Sequence, residues 1–236
     1  RGELTATERE RYERNLLVAD VGETGQMKLR SGSVLIVGAG GLGGYVAEQL
    51  VRAGVGRLGI VDFDRVSPSN LQRQNLYTLA DVGRSKCEAA RERLRAIDPE
   101  TAVDTFDLRL TEENWRGVEE TARYDLIVDC CDNFECRYLT DRISKTCGIP
   151  LVYGTAQQWG GQVSVFNHAG TKGYAELYPE PAPTQKAVGV LPSVVGVIGS
   201  LQAAEAMKLL LGETETLAGK LLVYDAKKAI FHTLIL

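Results

Sequence analysis

Several residue types are scarce in this sequence of 236 residues, and each shortage excludes a class of function. Only two histidines occur, His168 and His232, which leaves little material for a zinc cluster or for histidine acid–base chemistry. The five cysteines include no C-x-x-C pair, so we expect reduced, buried and inert thiols rather than disulfides or zinc ligands. The 27 basic residues against 31 acidic ones give a formal charge of -4. Because there is no broad basic field, we expect neither nucleic acid nor an anionic membrane as a partner.

Long uninterrupted apolar runs are missing as well. The run at residues 188–201 contains Gly, Pro and Ser and falls short of a membrane-spanning segment, and residues 1–14 are polar rather than a signal peptide. We therefore expect a cytoplasmic protein. With 44% apolar and 25% charged residues, the chain is expected to form a single domain over residues 1–236 with a sizeable core.

The first half of the sequence alternates short β-branched runs with helical patterns. Strands are predicted at residues 33–37, 57–62, 103–108, 125–130 and 151–155, and helices at 42–53, 85–97, 112–121 and 134–147. This alternation predicts an α/β fold with a Rossmann-like, doubly wound, mostly parallel sheet. Residues 31–155 are thus the expected nucleotide-binding half. Residues 1–30 are expected to form a helical segment outside the sheet, with one short amphipathic helix at 8–27.

The pattern changes after residue 155. Strands are predicted at residues 162–167, 220–225 and 230–236, a long apolar helix at 192–211, and a mobile, exposed, Pro-rich loop at 178–185. We expect residues 156–236 to extend the same sheet with antiparallel strands rather than to form a second domain.

A glycine-rich loop follows the first predicted strand. Gly38, Gly40 and Gly43 fill the three glycine positions of G-x-G-x-x-G, where missing side chains let backbone N–H groups approach a phosphate at a helix N-terminus. Asp62 then stands where an acid that binds ribose is expected. By itself, this pattern fits an NAD enzyme, an ATP enzyme, or a helix that simply packs closely on a strand.

Polar residues after the second strand favour a triphosphate. Pro68 and Ser69 shape a turn before Asn70, and Arg73 and Lys86 follow it. Loop amides and the helix dipole already serve the two phosphates of a dinucleotide, whereas a triphosphate adds charge that fixed cations must neutralise. Either cation alone would fit a solvated surface residue, but their joint placement predicts a nucleoside triphosphate site.

The segment D-C-C-D-N, residues 129–133, lies at the end of a predicted strand. Its acids should therefore emerge at the carboxyl edge of the sheet, where open α/β folds bind ligands. Mg²⁺ bound with a nucleotide takes one or two carboxylates, so Asp132 is a candidate ligand. A helix N-cap role for Asp132 or Asn133 is the alternative, and the two roles are compatible.

Taken together, these motifs resemble the ThiF/MoeB/HesA family of adenylating enzymes, the bacterial relatives of ubiquitin-activating E1, and the ThiF type most. The resemblance covers nearly the whole chain and rests on R-Y-x-R-N (11–15), the glycine loop, D-F-D (62–64), S-N-L-Q-R-Q (69–74), G-x-x-K (83–86), D-C-x-D-N (129–133) and G-V-I-G-S-L-Q-A-x-E-A-x-K (196–208). It implies that ATP adenylates the C-terminal glycine of a small ubiquitin-like sulfur carrier protein and that pyrophosphate is released. A C-terminal carboxylate, with a pKa of about 3.5, is already an anion at neutral pH, so its attack on phosphorus needs no general base.

The resemblance also implies a role for particular residues. Arg14, Arg73, Lys86 and Asp132 would be catalytic, Asp132 would hold Mg²⁺, and Arg14 would reach the ATP of the partner subunit in a homodimer. The full set expected around ATP is Gly38, Gly40, Gly41, Gly43, Asp62, Asp64, Ser69, Asn70, Arg73, Gln74, Lys86, Asp132 and Asn133.

Two departures from the family pattern limit what the resemblance implies. Many relatives hold a structural zinc with two C-x-x-C pairs, but Gly173 and Glu176 stand at the first pair and no second pair occurs, so we expect no zinc. Many also carry a cysteine in the loop before G-V-x-P, where this chain has residues 184–186. Either the reaction stops at the adenylate and another protein delivers sulfur, or one of the five thiols is used in an unexpected way; we favour the first, with the Pro-rich loop gripping the tail of the carrier.

Three other interpretations remain open. Activation of a molybdopterin carrier, as in the MoeB type, differs from thiamin thiazole synthesis only in the carrier. An NAD-dependent oxidoreductase would explain the glycine loop but leaves Arg73, Lys86 and Asp132 without a role. A non-catalytic E1-like subunit is disfavoured because Arg14 and those three residues are all present.

Overall fold

The fold is given by a computed structural model that describes residues 2–180 and 187–236. Within these ranges the strands are β1 (Ser33–Val37), β2 (Arg57–Val61), β3 (Ala102–Phe106), β4 (Leu126–Asp129), β5 (Leu151–Gln157), β6 (Gly160–Phe166), β7 (Lys220–Asp225) and β8 (Ile230–Ile235). The helices are α1 (Ala6–Arg11), α2 (Glu13–Leu16), α3 (Gly22–Ser31), α4 (Gly41–Arg52), α5 (Lys86–Ile97), α6 (Trp115–Glu119), α7 (Phe134–Cys147), α8 (Tyr174–Leu177) and α9 (Pro192–Leu211).

The eight strands form one sheet in the order β3-β2-β1-β4-β5-β6-β7-β8. Strands β1 to β5 are mutually parallel, and β5 to β8 pair antiparallel. The chain reverses within two residues between β5 and β6, whereas each parallel connection needs a crossover. Both the doubly wound parallel sheet and its antiparallel extension are therefore confirmed.

Both faces of the parallel sheet are buried, because side chains alternate along each strand. In β1, Val34 and Ile36 point into a core shared with α4, α5 and α9, and Leu35 and Val37 point into a second core against α6 and α7. The two cores fix the sheet between its helices and leave its two edges as the places where loops and side chains can meet a ligand.

Helix α9 is long and apolar enough to cross a membrane by length and composition alone, which its Gly, Pro and Ser residues led us not to expect. In the structure it packs against α4 and the sheet. Val194, Ile198 and Ala203 are buried there, and an added Cβ at Gly199 would lie only 2.8 Å from the Cβ of Tyr45. Packing in the core accounts for the apolar composition of this helix.

Several predicted boundaries were wrong. The single helix expected at residues 8–27 is three helices, because the backbone of Gly22 is left-handed (φ +51°) and the buried Tyr12 ends α1 by reaching across to Asp98. The helix expected at 112–121 is only α6, because Asn114 turns its side chain back onto the backbone of Thr111 and Arg109. Of the predicted loop at 178–185, residues 181–185 lie outside the described residues.

Candidate active site

The glycine loop lies at the carboxyl end of β1, between β2 and β4. Gly38 has a left-handed backbone (φ +101°), and a Cβ on it would lie 2.4 Å from the carbonyl oxygen of Cys130. A Cβ on Gly43 would lie 1.8 Å from the carbonyl oxygen of Gly38. Only glycine fits at these two positions, and the resulting turn aims the N-terminus of α4, which begins after Gly40, at the sheet edge.

Asp62 joins the end of β2 to this loop. Its Oδ2 accepts a hydrogen bond from the backbone N–H of Ala39 at 2.8 Å, and its Oδ1 accepts one from the N–H of Asp64 at 2.8 Å. Since each carboxylate oxygen has a second lone pair, the carboxylate is oriented by the backbone yet can still accept ribose hydroxyls. The predicted position of Asp62 next to the glycine loop is therefore what the structure shows.

The segment that carries Ser69, Asn70 and Arg73 folds back over the start of α4. Asn70 closes a short 3-10 turn (Pro68–Asn70) by accepting a hydrogen bond from the N–H of Ser67 at 2.9 Å. Arg73 donates from Nη1 to the carbonyl oxygen of Ser69 (3.1 Å) and to Oε1 of Gln72 (2.9 Å). Its Cγ lies 3.6 Å from where a Cβ on Gly41 would be, so the guanidinium stem runs beside the first turn of α4.

Gln74 follows and is buried against the loop. Its Nε2 lies 3.4 Å from the position of a Cβ on Gly40, and its Oε1 has no hydrogen-bond partner among the described residues. The Oγ of Ser85, just before α5, is also buried and has no hydrogen-bond partner among the described residues. Orphaned buried polar atoms are rare in native proteins, so the unpartnered Oε1 of Gln74, a side chain that packs beside Gly40, fits a site that binds a polar ligand.

Lys86 is the first residue of α5 and is 5% exposed. Its ammonium faces the half-exposed carboxylate of Asp64 at 3.6 Å, which is longer than a hydrogen bond. Tyr77 holds this region to the glycine loop, because its hydroxyl donates to the carbonyl oxygen of Ala39 at 2.6 Å. A buried cation with a single loose partner can accept a phosphate at little cost, because its own desolvation has already occurred on folding.

The two acids of the D-C-C-D-N segment, Asp129 and Asp132, lie in different environments. Asp129, the last residue of β4, is fully buried and accepts hydrogen bonds from the N–H of Cys131 (2.9 Å) and from Oγ1 of Thr140 (3.3 Å). Burial raises the pKa of Asp129 to about 6, although the nearby guanidinium of Arg137 acts to lower it. Asp129 is thus a buried, structural acid.

Asp132 is exposed, and the N-cap of α7 is its neighbour Asn133 rather than Asp132 itself. Asn133 caps α7, because its Oδ1 accepts the N–H of Cys136 at 2.9 Å, while its Nδ2 donates to Oδ1 of Asp132 at 3.2 Å. Among the described residues, no group of three or more His, Cys, Asp or Glu side chains comes together as a metal site. A single free carboxylate fits a Mg²⁺ that arrives with a nucleotide, since phosphate oxygens and water supply its other ligands.

The expectation that all five cysteines are reduced was wrong for one pair. Cys131 and Cys136 form a disulfide, with their Cα atoms 6.1 Å apart, on either side of Asp132 and Asn133. The C-x-x-C spacing does not detect this pair, because the end of a strand followed by a capped helical turn brings together two residues that are five positions apart. Cys87, Cys130 and Cys147 are free thiols, and burial raises the pKa of Cys87 to about 11.

Arg14 does not lie at this edge in its own chain. The neighbouring Asn15 donates to the carbonyl oxygen of Ala53, which follows the C-terminal end of α4, and to Gln26. Gly41 begins the same helix, and 12 residues at 1.5 Å each separate its ends by about 18 Å. The sequence-predicted site is thus brought together within one chain except for Arg14.

Two further residues, which the sequence did not identify, support the D-C-C-D-N segment. Arg137 donates from Nη2 to the carbonyl oxygen of Cys131 (3.3 Å) and to Oγ1 of Thr155 (3.0 Å), which ties the D-C-C-D-N segment to β5. Gln202 in α9 is fully buried and donates to the carbonyl oxygen of Asp129 at 2.8 Å. A glutamine inside an otherwise apolar helix was the available signal, because a buried amide requires a polar partner.

This geometry defines a class of protein: an α/β nucleotide-binding domain with a glycine cradle, two cations and one free carboxylate at a single sheet edge. Residues 12–236 match the model of the ThiF family. The chain belongs to the ThiF family.

Named relatives agree with that assignment, and a solved structure shares the fold. The chain is 46% identical to the sulfur carrier protein adenylyltransferase of Thermus thermophilus, over 98% of this chain and 88% of that protein. It is 43% identical to the probable adenylyltransferase/sulfurtransferase MoeZ of Mycobacterium tuberculosis, over 98% of this chain but only 61% of that longer protein. The crystal structure of E. coli MccB with ATP has a TM-score of 0.84 at 22% identity, over 95% of this chain and 71% of that one, which shows the shared fold.

Proposed function

We propose that this protein uses Mg²⁺ and ATP to adenylate the C-terminal glycine of a ubiquitin-like, ThiS-like sulfur carrier in the synthesis of the thiamin thiazole, with release of pyrophosphate. The observation that carries the proposal is the buried side chain of Lys86 at the same sheet edge as the glycine cradle, with the Arg73 stem beside Gly41 and the carboxylate of Asp132 exposed in the turn after β4. The name of the Thermus thermophilus relative supports the class of substrate.

The proposed reaction breaks the bond between the α-phosphorus of ATP and the bridging oxygen of pyrophosphate, while a carrier carboxylate oxygen bonds to that phosphorus. Negative charge builds up on the departing pyrophosphate. The N-terminal amides of α4, the guanidinium of Arg73 and the ammonium of Lys86 would neutralise that charge. Mg²⁺, when bound through Asp132, supplies further charge neutralisation at the phosphates. For Arg73, a phosphate is a stronger acceptor than its present neutral partners at Ser69 and Gln72.

A general base has no role in this reaction, and the histidines stand away from the site. His168 lines a cleft with Asp125 and Pro150, which precede β4 and β5 and so lie at the amino edge of the sheet. His232 is exposed on the outermost strand, β8. The carrier carboxylate is already ionised at neutral pH, so positioning and charge neutralisation are sufficient. A cytoplasmic location, where ATP is available, accompanies this proposal.

The decisive test mixes the purified protein with Mg-ATP and candidate carriers. Mass spectrometry should detect an acyl-adenylate on a ThiS-like carrier, and pyrophosphate exchange should depend on that carrier. An adenylate that forms only on a molybdopterin carrier would assign the MoeB type instead. Absence of an adenylate on any carrier, together with tight NAD binding, would refute the proposal.

Arg14 is proposed to act on the site of the partner subunit in a C₂ homodimer. Its place near the far end of α4 from Gly41 supports a role across subunits rather than within one. Mixing inactive Arg14→Ala with inactive Asp132→Ala tests this, because a mixed dimer then contains one site with both groups intact. Random exchange should restore about a quarter of wild-type activity. No recovery, in a mixture shown to exchange subunits, would refute the role of Arg14 across the interface.

A further inference from the structure

The disulfide between Cys131 and Cys136 encloses the two residues that present the free carboxylate of the site, Asp132 and Asn133. We propose that Cys131 and Cys136 form a redox-active pair whose oxidation holds the Asp132 segment in place for Mg-ATP, and whose reduction loosens it. The inference rests on the proposed role of Asp132 as the carboxylate that receives nucleotide-bound Mg²⁺.

The contacts around the segment show what the bond restrains. At one end, the N–H of Cys131 donates to Asp129 and its carbonyl oxygen accepts from Arg137. At the other end, the N–H of Cys136 donates to Asn133. Asp132 lies between these anchors, is exposed, and makes a single side-chain hydrogen bond, to Asn133, among the described residues. Because the disulfide joins the two ends, oxidation removes freedom that the segment would otherwise lose on binding.

The two thiols differ in exposure in the way that an exchange reaction requires. Cys136 is partly exposed in the first turn of α7, whereas Cys131 is 7% exposed behind it. With a low-molecular-weight disulfide as oxidant, the Cys136 thiolate attacks one sulfur and releases the first small thiol. The Cys131 thiolate then attacks the Cys136 sulfur of the mixed disulfide and releases the second small thiol. Two thiol protons leave with the two products, and the oxidant gains the two electrons that the cysteines lose.

The proposed cytoplasmic location favours a reversible bond over a permanent one. Proteins that work in reducing compartments rarely keep structural disulfides, and those that form there are usually transient, catalytic or redox-sensing. The pair also spans only six residues, which adds little to global stability compared with a bond that closes a long loop. Its main effect therefore falls on the local geometry of Asp132.

The test equilibrates the 236-residue chain in glutathione buffers of graded ratio, traps thiols by alkylation, and counts them by intact mass. In the same buffers, calorimetry measures the Kd of Mg-ATP. We expect two thiols to disappear together on oxidation and the Kd to rise about 3- to 10-fold on reduction. Cys131→Ser and Cys136→Ser should bind like the reduced protein in every buffer. Cys147→Ser is the matched control on the far end of α7 and should respond like the wild type.

Two results would overturn the inference. One is a failure of the pair to oxidise even in fully oxidised glutathione, and the other is an equal Kd for Mg-ATP in the oxidised and reduced states. These outcomes are separable from those of the proposed function. If the Kd depends on redox state but no carrier is adenylated, the redox inference stands and the proposed substrate is refuted. If a carrier is adenylated but the Kd does not depend on redox state, the proposed function stands and the redox inference is refuted.

Discussion

The two edges of the parallel sheet carry similar polar residues and use them differently. At the amino edge, side-chain donors cap the ends of helices: Lys28 donates to the carbonyl oxygen of Leu211 at the end of α9, and Arg11 to that of Ile97 at the end of α5. At the carboxyl edge, the ammonium of Lys86 faces one loose partner, Asp64, among the residues that the structure describes. Lys28 and Arg11 are thus satisfied within the fold, whereas Lys86 can still bind a ligand.

The direction of the helices explains the difference. In a parallel sheet with crossover helices, the helix C-termini return to the amino edge and leave carbonyl oxygens that need donors. The helix N-termini lie at the carboxyl edge and leave N–H groups that need acceptors, which an anion provides. Cations at the amino edge therefore stabilise the fold, and cations at the carboxyl edge can assist a phosphate.

The largest expected effect separates activity from stability at the carboxyl edge. Arg73→Ala should lower carrier-dependent ATP–pyrophosphate exchange about 1,000-fold, or about 4 kcal/mol of transition-state stabilisation, because it removes a charge aimed at pyrophosphate. Stability to urea should be unchanged. Arg84→Ala is the matched control, since that arginine pairs with Asp81 and Glu92 away from the glycine loop, and its variant should keep full exchange activity. Retained activity in Arg73→Ala would contradict the assigned role.

A second change should break the carboxyl edge itself. Gly43→Ala places a Cβ 1.8 Å from the carbonyl oxygen of Gly38, so the turn must shift. We expect a loss of about 3 kcal/mol in the free energy of unfolding, and loss of Mg-ATP binding. Gly117→Ala is the control, because nothing lies within 4 Å of its added Cβ in α6, and it should be neutral or stabilising. Equal urea midpoints for both variants would show that the cradle tolerates a side chain.

A third effect depends on pH and tests whether Asp129 is structural. Its pKa is raised to about 6 by burial, above the ordinary value of 3.8, so the folded state holds its proton more tightly than the unfolded state. Stability contributed below pH 4 is therefore lost as the pH rises from about 4 to about 6, by about 3 kcal/mol. Urea unfolding should show the wild type losing about 3 kcal/mol of stability relative to Asp129→Asn over this range, because the asparagine does not titrate. A constant difference would mean that the pKa is not raised.

The smallest effect concerns the amino edge. Tyr12→Phe removes the hydrogen bond from the hydroxyl to Oδ2 of Asp98, 2.5 Å long and buried, and should cost about 1 kcal/mol of stability. Exchange activity should be unchanged because the bond lies at the edge away from the glycine loop. Tyr224→Phe, which keeps its ring stacked on Phe231, serves as the control. Loss of activity without loss of stability in Tyr12→Phe would erase the distinction between the two edges.

The repetitive parts of the fold were predictable because they depend on local pattern. The run at 33–37 and its glycines predicted β1 and α4 within a residue or two, and the change of pattern after residue 155 predicted the antiparallel extension. The N-terminal segment was mispredicted as one helix. Its first break depends on Tyr12 reaching Asp98, 86 positions further along the chain, and no local pattern reports such a contact, whereas the second lies at Gly22, a local signal that the prediction did not use.

The positions of the candidate site residues in the fold were predictable, and their contacts were less so. Asp62 met the glycine loop as expected, since both follow neighbouring parallel strands. Which residue of the D-C-C-D-N segment caps α7, and that Cys131 reaches Cys136, required the turn itself. The buried partners Arg137 and Gln202 come from α7 and α9, and only tertiary packing brings them under Asp129 and Cys131.

The sequence by itself determined the strand and helix alternation, the glycines that allow the turn after β1, and the acids and cations available near it, because these depend on periodicity and on residue chemistry over short distances. Tertiary structure alone decided which of the polar groups remain free. Lys28 donates to a carbonyl oxygen at a helix C-terminus, whereas Lys86 lies at a helix N-terminus and remains available to an anion. The difference depends on which end of a helix each lysine lies beside. That is a property of the assembled sheet, since only its parallel strand order places the helix N-termini together at one edge.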